Sequence, residues 1–359
     1  MVPVQRVLLA SPRGFCAGVE KAIKALAWMV RVFEPPVYCY HEIVHNRHVV
    51  EQFRAQGVIF VDDVDEVPAG APLMLSAHGS APEVVAEARR QHRAVVDAVC
   101  PLVTKVHHEL RVRSRKGYTV LYVGHQGHEE AVGTMAVAPD AVHLVQSEAD
   151  VDRVAQVLAE GTPVALLAQT TLSHDEWSGI MGRARERFPE LWMPNRSDLC
   201  FATTNRQAAL KAIAGRSDAV VVIGSVNSSN TRALEKVAAA VCSRVLRVNS
   251  AEELPGDLSG TVAVTAGASA PDELVDAVVA RLAPRQGVEE VHVTDEDEYF
   301  PPPPELRDLT RALAGALALG LGGPSAAPAR AENKDGEGAA DRFVSAADVL
   351  AGLARPRTR

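Results

Sequence analysis

One unit recurs along this chain and limits what it can fold into: a short apolar run, a polar loop, then a segment with helical period. Val7–Ala10 runs into a loop at Cys16, Pro36–Tyr40 into His41, Leu73–Ser76 into His78, and Val95–Ala98 into Cys100. The same order returns at Thr119–Val123 before Gly124–Gly133, and at Val164–Ala168 before Thr170 and Thr171. It returns again at Val220–Ile223 before Ser225–Asn230 and at Val262–Thr265 before Gly267–Ser269. Strands buried on both faces read as continuous apolar runs, and their alternation with helices predicts parallel sheets covered by helices, an α/β fold. In open parallel sheets ligands bind beyond the carboxyl ends of the strands, and every polar loop named here falls at such an end. Ser80-Ala-Pro-Glu83 and Ser173-His-Asp-Glu176 have the form of capping boxes, and Ser269-Ala-Pro-Asp272 is similar with an early proline.

The five cysteines, Cys16, Cys39, Cys100, Cys200 and Cys242, are too few and scattered for a disulfide framework. No Cys-x-x-Cys pair exists, which argues against a zinc ribbon or a thioredoxin-type motif. Cys16, Cys100 and Cys200 share a context, each following a strand or turn and opening a helix. After Cys16 the positions Val19, Ile23, Leu26 and Val30 fall on one face; after Cys100 they are Val103, Val106 and Leu110; after Cys200, Ala208, Leu210 and Ile213. A thiolate at a helix N-terminus is stabilised by the macrodipole and by free N–H groups. The separations of 84 and 100 residues equal roughly one small α/β unit each. They suggest three similar units, each giving one thiolate to a common centre. On the cysteines alone, an iron–sulfur cluster, a closed zinc site and buried free thiols all stay open. Cys39 falls in a strand and Cys242 in a helix, so both read as packing residues.

With 359 residues and 47% hydrophobic content, the chain predicts two or three domains. A net charge of −8 argues against nucleic acid as a partner. Val7–Ala10 is too short for a secretory h-region, and the uncharged stretch from Ala312 is interrupted by Gly and Pro, so no membrane span is expected and the cytoplasm is the expected compartment. No strand is followed by Gly-x-Gly-x-x-Gly, which disfavours a nicotinamide enzyme. After the stiff run Pro301–Pro304 the chain becomes rich in Ala, Gly and charge, as at Ala329–Ala340. Residues 307–359 are expected to form a disordered extension, within which Leu306–Leu321 and Ala346–Leu353 could be short helices.

Nine segments, in order, resemble one family. They are Pro12-Arg-Gly-Phe-Cys-Ala-Gly18, His41-Glu-Ile-Val-His-Asn46, Ser76-Ala-His-Gly79, Asp97-Ala-Val-Cys-Pro-Leu-Val-Thr-Lys-Val-His107, Gly124-His-Gln-Gly-His128, Gln169-Thr-Thr-Leu-Ser173, Cys200-Phe-Ala-Thr-Thr-Asn-Arg206, Asn227-Ser-Ser-Asn230 and Thr265-Ala-Gly-Ala-Ser-Ala-Pro271. The family is 4-hydroxy-3-methylbut-2-enyl diphosphate reductase, the last enzyme of the methylerythritol phosphate route to isoprenoids. The resemblance spans about residues 5–307. It implies three small α/β domains in a pseudo-threefold arrangement around a central cluster: 17–100, 101–197, and 1–16 with 198–306. It also implies reductive removal of a hydroxyl from an allylic diphosphate, giving isopentenyl and dimethylallyl diphosphate. Electrons would come from a ferredoxin or flavodoxin.

On this resemblance Cys16, Cys100 and Cys200 hold one [4Fe–4S] cluster. Three thiolates leave one iron without a protein ligand, free to act as a Lewis acid on the substrate hydroxyl while the cluster supplies electrons singly. Glu130, two positions after Gly-His-x-Gly-His, is the implied proton source, with Thr170 holding the hydroxyl or relaying the proton and His128 beside them. The diphosphate would be met by imidazole groups of His41, His78 and His128, which bind an anion better when protonated. Ser228, Asn230 and Ser269 would add donors beside helix N-termini, with Thr171 and Ser229 as secondary contacts. His45, His107 and His108 read as structural. Arg13 and Lys105 belong to motifs but need not touch substrate. Several positions depart from the family pattern: Glu129 stands where proline is expected, Val132 where an acid is common, His48 for tyrosine, Tyr40 for arginine and Thr231 for serine. Two other functions fit part of the pattern. A cluster-dependent dehydratase would need no external electrons, and a non-catalytic iron–sulfur or zinc sensor would not need the diphosphate donors.

Overall fold

The computed structural model describes residues 3–320, 342 and 344–353. The chain opens with β1 (Val4–Ser11), α1 (Ala17–Val32), β2 (Val37–Tyr40), α2 (Arg47–Ala55), β3 (Val58–Val61), β4 (Leu73–Leu75), α3 (Pro82–Gln91) and β5 (Val95–Asp97). It continues through α4 (Pro101–Arg115), β6 (Thr119–Val123), α5 (Glu129–Met135), β7 (Val142–Val145), α6 (Glu148–Val157), β8 (Val164–Ala168) and α7 (His174–Arg187). Then follow α8 (Phe201–Ala214), β9 (Ala219–Ile223), α9 (Ser229–Ala239), β10 (Val245–Val248), β11 (Gly260–Ala266), α10 (Asp272–Leu282), β12 (Val288–His292), α11 (Pro304–Gly320) and α12 (Ala346–Leu353).

The strands form three sheets, with orders β3-β2-β4-β5, β7-β6-β8 and β10-β9-β11-β1-β12. Every pairing in them is parallel. The N-terminal strand joins the last sheet, Val7 facing Val262 on one side and Val288 on the other. Both faces of each sheet are covered, which is why the strands carry unbroken apolar runs. In β9, Val221 and Ile223 enter one core while Val220 and Val222 enter the opposite one. In β6, Leu121 and Val123 divide likewise from Val120 and Tyr122, and in β4, Leu73 and Leu75 from Met74. The α/β reading with three parallel sheets is thereby met.

Four strands, β3, β7, β10 and β12, are not among the runs named above, although Val58–Val61 of β3 is itself an unbroken apolar run. All four lie at sheet edges. Strand β12 alternates exposed and half-buried residues over Val288–His292 and leaves no apolar run to read.

Of the three expected capping boxes, only Ser173–Glu176 forms, at the start of α7. Helices α3 and α10 begin later, with Ala81 and Pro271 as N-caps. Pro82 is preorganised for the first helical position, so the helix starts there and Ser80 lies one residue too early to cap it. The Ser269 hydroxyl instead donates to the carbonyl of His45 at 2.8 Å.

The expected disorder beyond residue 307 does not hold for the described part. Helix α11 anchors through buried Leu306, and α12 packs on α1 through Ala346, Leu350 and Leu353. The α12 signal is present in the chain: Ser345 Oγ accepts from the Asp348 N–H at 3.0 Å while Asp348 accepts from Ser345, and apolar residues follow at helical spacing. Ala329–Ala340 lies outside the described residues.

Candidate active site

Eight strand ends converge on one cavity. Cys16 arrives from β1, His45 from β2, His78 from β4, Cys100 from β5, His128 from β6, Thr170 from β8, Ser228 from β9 and Ser269 from β11. Among the described residues no Lys or Arg lines it.

The three motif cysteines are the N-caps of α1, α4 and α8, and all three line the cavity. Each backbone N–H reaches across to a neighbouring loop: Cys16 to the carbonyl of Ala268 at 3.2 Å, Cys100 to Ala77 at 3.0 Å, and Cys200 to Thr170 at 3.0 Å. The ligand loops are thus tied to the loops that carry the other polar groups. A Cβ at Gly18 would lie 2.8 Å from Cys100 Sγ and 3.9 Å from Cys16 Sγ, so only glycine lets α1 approach both sulfurs. The Cys200 sulfur accepts from the Thr203 N–H at 3.2 Å and lies 3.0 Å from the Thr203 hydroxyl. Burial, and then the neighbouring Cys16 sulfur, push both the Cys100 and the Cys200 thiols up to about 12. Cys100 and Cys200 therefore resist ionising where they stand, and a cationic centre between the sulfurs would remove that resistance. The donor set therefore fits a cluster held by three sulfurs. Cys39 and Cys242 are buried elsewhere, in β2 and beyond α9.

Arg206, which the sequence flagged only as the end of a motif, braces this arrangement. Its fully buried guanidinium donates to the carbonyls of Gly14, Phe15 and Ala202, and pairs with Glu296 at 2.9 Å. The Cys16 loop, the start of α8 and the segment leading to Phe300, which lines the cavity, are held by one side chain.

Glu130, in the first turn of α5, is buried with its carboxylate against the end of β8. Oε1 accepts from the Thr170 N–H at 2.7 Å and Oε2 from the Thr170 hydroxyl at 3.0 Å. Burial raises its pKa to about 7, against the two Thr170 hydrogen bonds, which favour the charged form. Behind it Asp198 accepts from the Ala168 N–H and pairs with Lys105 at 3.3 Å, so Lys105 serves the second row and does not reach the cavity.

The histidines are placed otherwise than expected. His41 does not reach the cavity: its backbone is in the left-handed region, φ 58°, and Nδ1 faces Asp62 at 3.4 Å. The histidine delivered there is His45, expected to be structural. Its ring stacks on His78 with centroids 3.8 Å apart, and His128 stands edge-on at 5.3 Å from His45 and 6.1 Å from His78. The left-handed turn at His41 reverses the chain, so the motif's second histidine, not its first, points inward. His128 is neutral: its Nδ1 accepts from the Glu130 N–H at 3.1 Å, and burial, then His78 and His45, lower its pKa to about 2. Its other ring nitrogen is therefore a neutral N–H donor, not the expected cation. His107 lies outside the cavity, lowered to about 4 by burial and Arg111.

Ser228 caps α9, accepting from the Thr231 N–H at 3.3 Å, which leaves its own proton for the cavity. Asn230 donates to Thr203 Oγ1 at 3.3 Å and accepts from the Ala268 N–H at 2.9 Å. Gln169 is a hub the sequence reading did not single out: buried, it donates to Thr171 and Ser229 hydroxyls and accepts from the His125 N–H. Ser269 lines the cavity, although in this arrangement its proton is engaged by His45.

A family model described as LytB protein matches residues 7–283. The chain is 46% identical over 323 residues to the 4-hydroxy-3-methylbut-2-enyl diphosphate reductase of Rhodopirellula baltica, covering 88% of this chain and all of that protein. It is also 46% identical over 322 residues to the enzyme of that name from Acidothermus cellulolyticus, covering 88% and 94%. Among solved structures, the E-1-hydroxy-2-methyl-but-2-enyl-4-diphosphate reductase from Plasmodium falciparum superposes with a TM-score of 0.83 at 30% identity, over 87% of this chain and 100% of that one.

Proposed function

Because the chain belongs to the LytB family, we propose that its cavity carries out the reductive dehydroxylation of (E)-4-hydroxy-3-methylbut-2-enyl diphosphate to isopentenyl and dimethylallyl diphosphate. It is a 4-hydroxy-3-methylbut-2-enyl diphosphate reductase of the non-mevalonate isoprenoid pathway. The observation that carries the reading is the meeting of three helix-capping cysteines with the Glu130–Thr170 pair on one cavity.

The family depends on iron and sulfur. Here Cys16, Cys100 and Cys200 would hold one [4Fe–4S] cluster. When bound, the cluster supplies electrons one at a time, with an iron lacking a protein ligand as Lewis acid for the substrate hydroxyl. Replacing an allylic hydroxyl by hydrogen consumes two electrons and two protons and releases water. Glu130 supplies a proton toward the leaving oxygen, oriented by Thr170, whose hydroxyl also reaches the cavity. His45, His78 and the neutral N–H of His128 approach the diphosphate from one side. Ser228, Ser229 and Asn230 approach it from the start of α9, where anions are favoured, with Thr171 and Ser269 beside them. The 17–100, 101–197 and 1–16/198–306 portions act as three units meeting at the cluster. A ferredoxin or flavodoxin is the electron donor and the cytoplasm the site of action. No helix among the described residues is long and apolar enough to cross a membrane.

Anaerobic purification, an iron spectrum and an assay of the allylic diphosphate with a reduced donor test this. Iron-dependent turnover that requires the reductant is expected. Turnover without reductant would move the assignment to a dehydratase, and a colourless protein holding only zinc would overturn it.

A further inference from the structure

On the diphosphate reading, the cavity binds an anion with no Lys or Arg on its wall among the described residues. Its positive charge has to come from helix N-termini and from imidazoles, and the imidazoles are crowded. The His45 and His78 rings lie face to face at 3.8 Å, with His128 close to both. Like charges at that separation repel strongly, so the cluster holds one proton more readily than two. The neighbours decide where it sits. His128 Nδ1 is occupied as an acceptor. The His45 side chain is 9% exposed, and its Nδ1 has only long contacts, 3.5 Å to Glu42 and 3.4 Å to Asn227. His78 alone has a carboxylate at close range: Glu129 Oε2 lies 2.8 Å from its Nδ1.

Glu129 does not line the cavity. It stands behind His78, on the side of the ring away from the cavity. The other titratable groups around the pair are His41, Glu42 and His45 on the segment before α2, Tyr40 and Cys39 on β2, and His125, His128 and Glu130 around the start of α5. Of these only histidines can be cationic. Burial would raise Glu129, but contact with His78, and the charges of His78, His45 and His41, outweigh it and lower its pKa to about 2. The carboxylate is therefore charged throughout the working range. The resemblance leads one to expect proline at this position, which would have no carboxylate to offer His78.

Resting on the diphosphate reading of the cavity, we propose that Glu129 is a positioning residue for substrate binding: from outside the cavity it fixes His78 as the one cationic imidazole of the His45–His78–His128 cluster, facing the diphosphate.

The test is calorimetric titration of the anaerobic, cluster-loaded protein with inorganic diphosphate at about pH 6.5 and about pH 8. Wild type, Glu129→Gln, His78→Gln and the double variant are compared, so that ionisation of the diphosphate cancels in the ratios. Glu129→Gln is expected to weaken binding about tenfold at the higher pH and at most about twofold at the lower, where an unassisted imidazole is already about half protonated. KM for the allylic substrate should follow the same pattern, with kcat nearly unchanged. In the His78→Gln background the Glu129 substitution should have no further effect. Wild-type affinity of Glu129→Gln at the higher pH, or tighter binding from relief of repulsion, would overturn the proposal. A His78→Gln variant that binds diphosphate normally would instead sink the diphosphate reading itself, so the two failures are distinguishable.

Discussion

Thr170 holds both oxygens of the Glu130 carboxylate, its N–H meeting Oε1 at 2.7 Å and its hydroxyl meeting Oε2 at 3.0 Å. The two residues come from different elements, the first turn of α5 and the end of β8. The pairing sets two opposed forces on one acid: burial favours its protonated form and Thr170 its charged form. The balance, near pH 7, leaves a carboxyl that can give up a proton under working conditions.

Glu130→Gln keeps the side chain's size and removes the proton. Loss of kcat on the order of a hundredfold or more is expected, with the iron spectrum unchanged. Steady-state kinetics under anaerobic conditions check this, and near-wild-type turnover would exclude Glu130 as the proton source.

The pH dependence has a definite sign. Glu130 must be protonated to act, so kcat should fall as pH rises through about 7. Removing the Thr170 hydroxyl as Thr170→Val takes away a bond that favours the charged form, so the falling limb should move to higher pH. Stability follows the same linkage. A carboxyl whose pKa is raised on folding contributes stability that is complete below its unfolded value and lost as pH rises through the folded one. Between about pH 4.5 and 7 wild type therefore loses a contribution of up to roughly 3 kcal/mol that Glu130→Gln does not lose. Urea melts of both proteins at several pH values measure it, and parallel curves would contradict the raised pKa.

Replacing Cys16, Cys100 or Cys200 by alanine should abolish iron retention in each case. Cys39→Ala and Cys242→Ala should retain iron, at a cost of about 1–2 kcal/mol in packing. Iron content and visible absorbance of the five variants separate ligands from core residues.

The two histidines of the His41-Glu-Ile-Val-His45 stretch should behave differently. His45→Gln, on the cavity wall, is expected to raise KM for the diphosphate about tenfold or more. His41→Gln, facing Asp62, should leave KM within about twofold. The reverse outcome would mean that the turn at φ 58° does not persist in solution.

Arg206→Met leaves the carbonyls of Gly14 and Phe15 without their donor and Glu296 with Asn205 as its donor but no cationic partner. Destabilisation of about 3–5 kcal/mol is expected, since breaking a buried pair strands its partner. Denaturant melts read the stability and iron-release rates read the effect on the cluster loops; wild-type values in both would deny Arg206 its bracing role.

The interior strands were legible because each is covered on both faces and so carries an unbroken apolar run. The edge strands β5 and β8 were legible as well, β8 being buried throughout, whereas β12 was not, because its residues alternate between exposed and half-buried. The site cysteines could be read from their place before helical segments. His45 could not be told from His41, since both lie in one motif and only the chain reversal at His41 decides which ring turns inward. Gln169 and Arg206 carry no local signal of their role, because their partners lie at Ser229, Gly14 and Glu296, far away in sequence.

The order of residues alone determined the α/β class, the strand ends as the place for chemistry, and three thiols at helix starts. These are local matters of periodicity and of spacing along one element. Which histidine faces the cavity, which neighbour sets its charge, and how Glu130 comes to be poised near neutrality were decided by the tertiary structure alone. Burial and electrostatic coupling depend on distances through space, and Glu130 meets Thr170, and Glu129 meets His78, only after three separate sheets have brought their strand ends together.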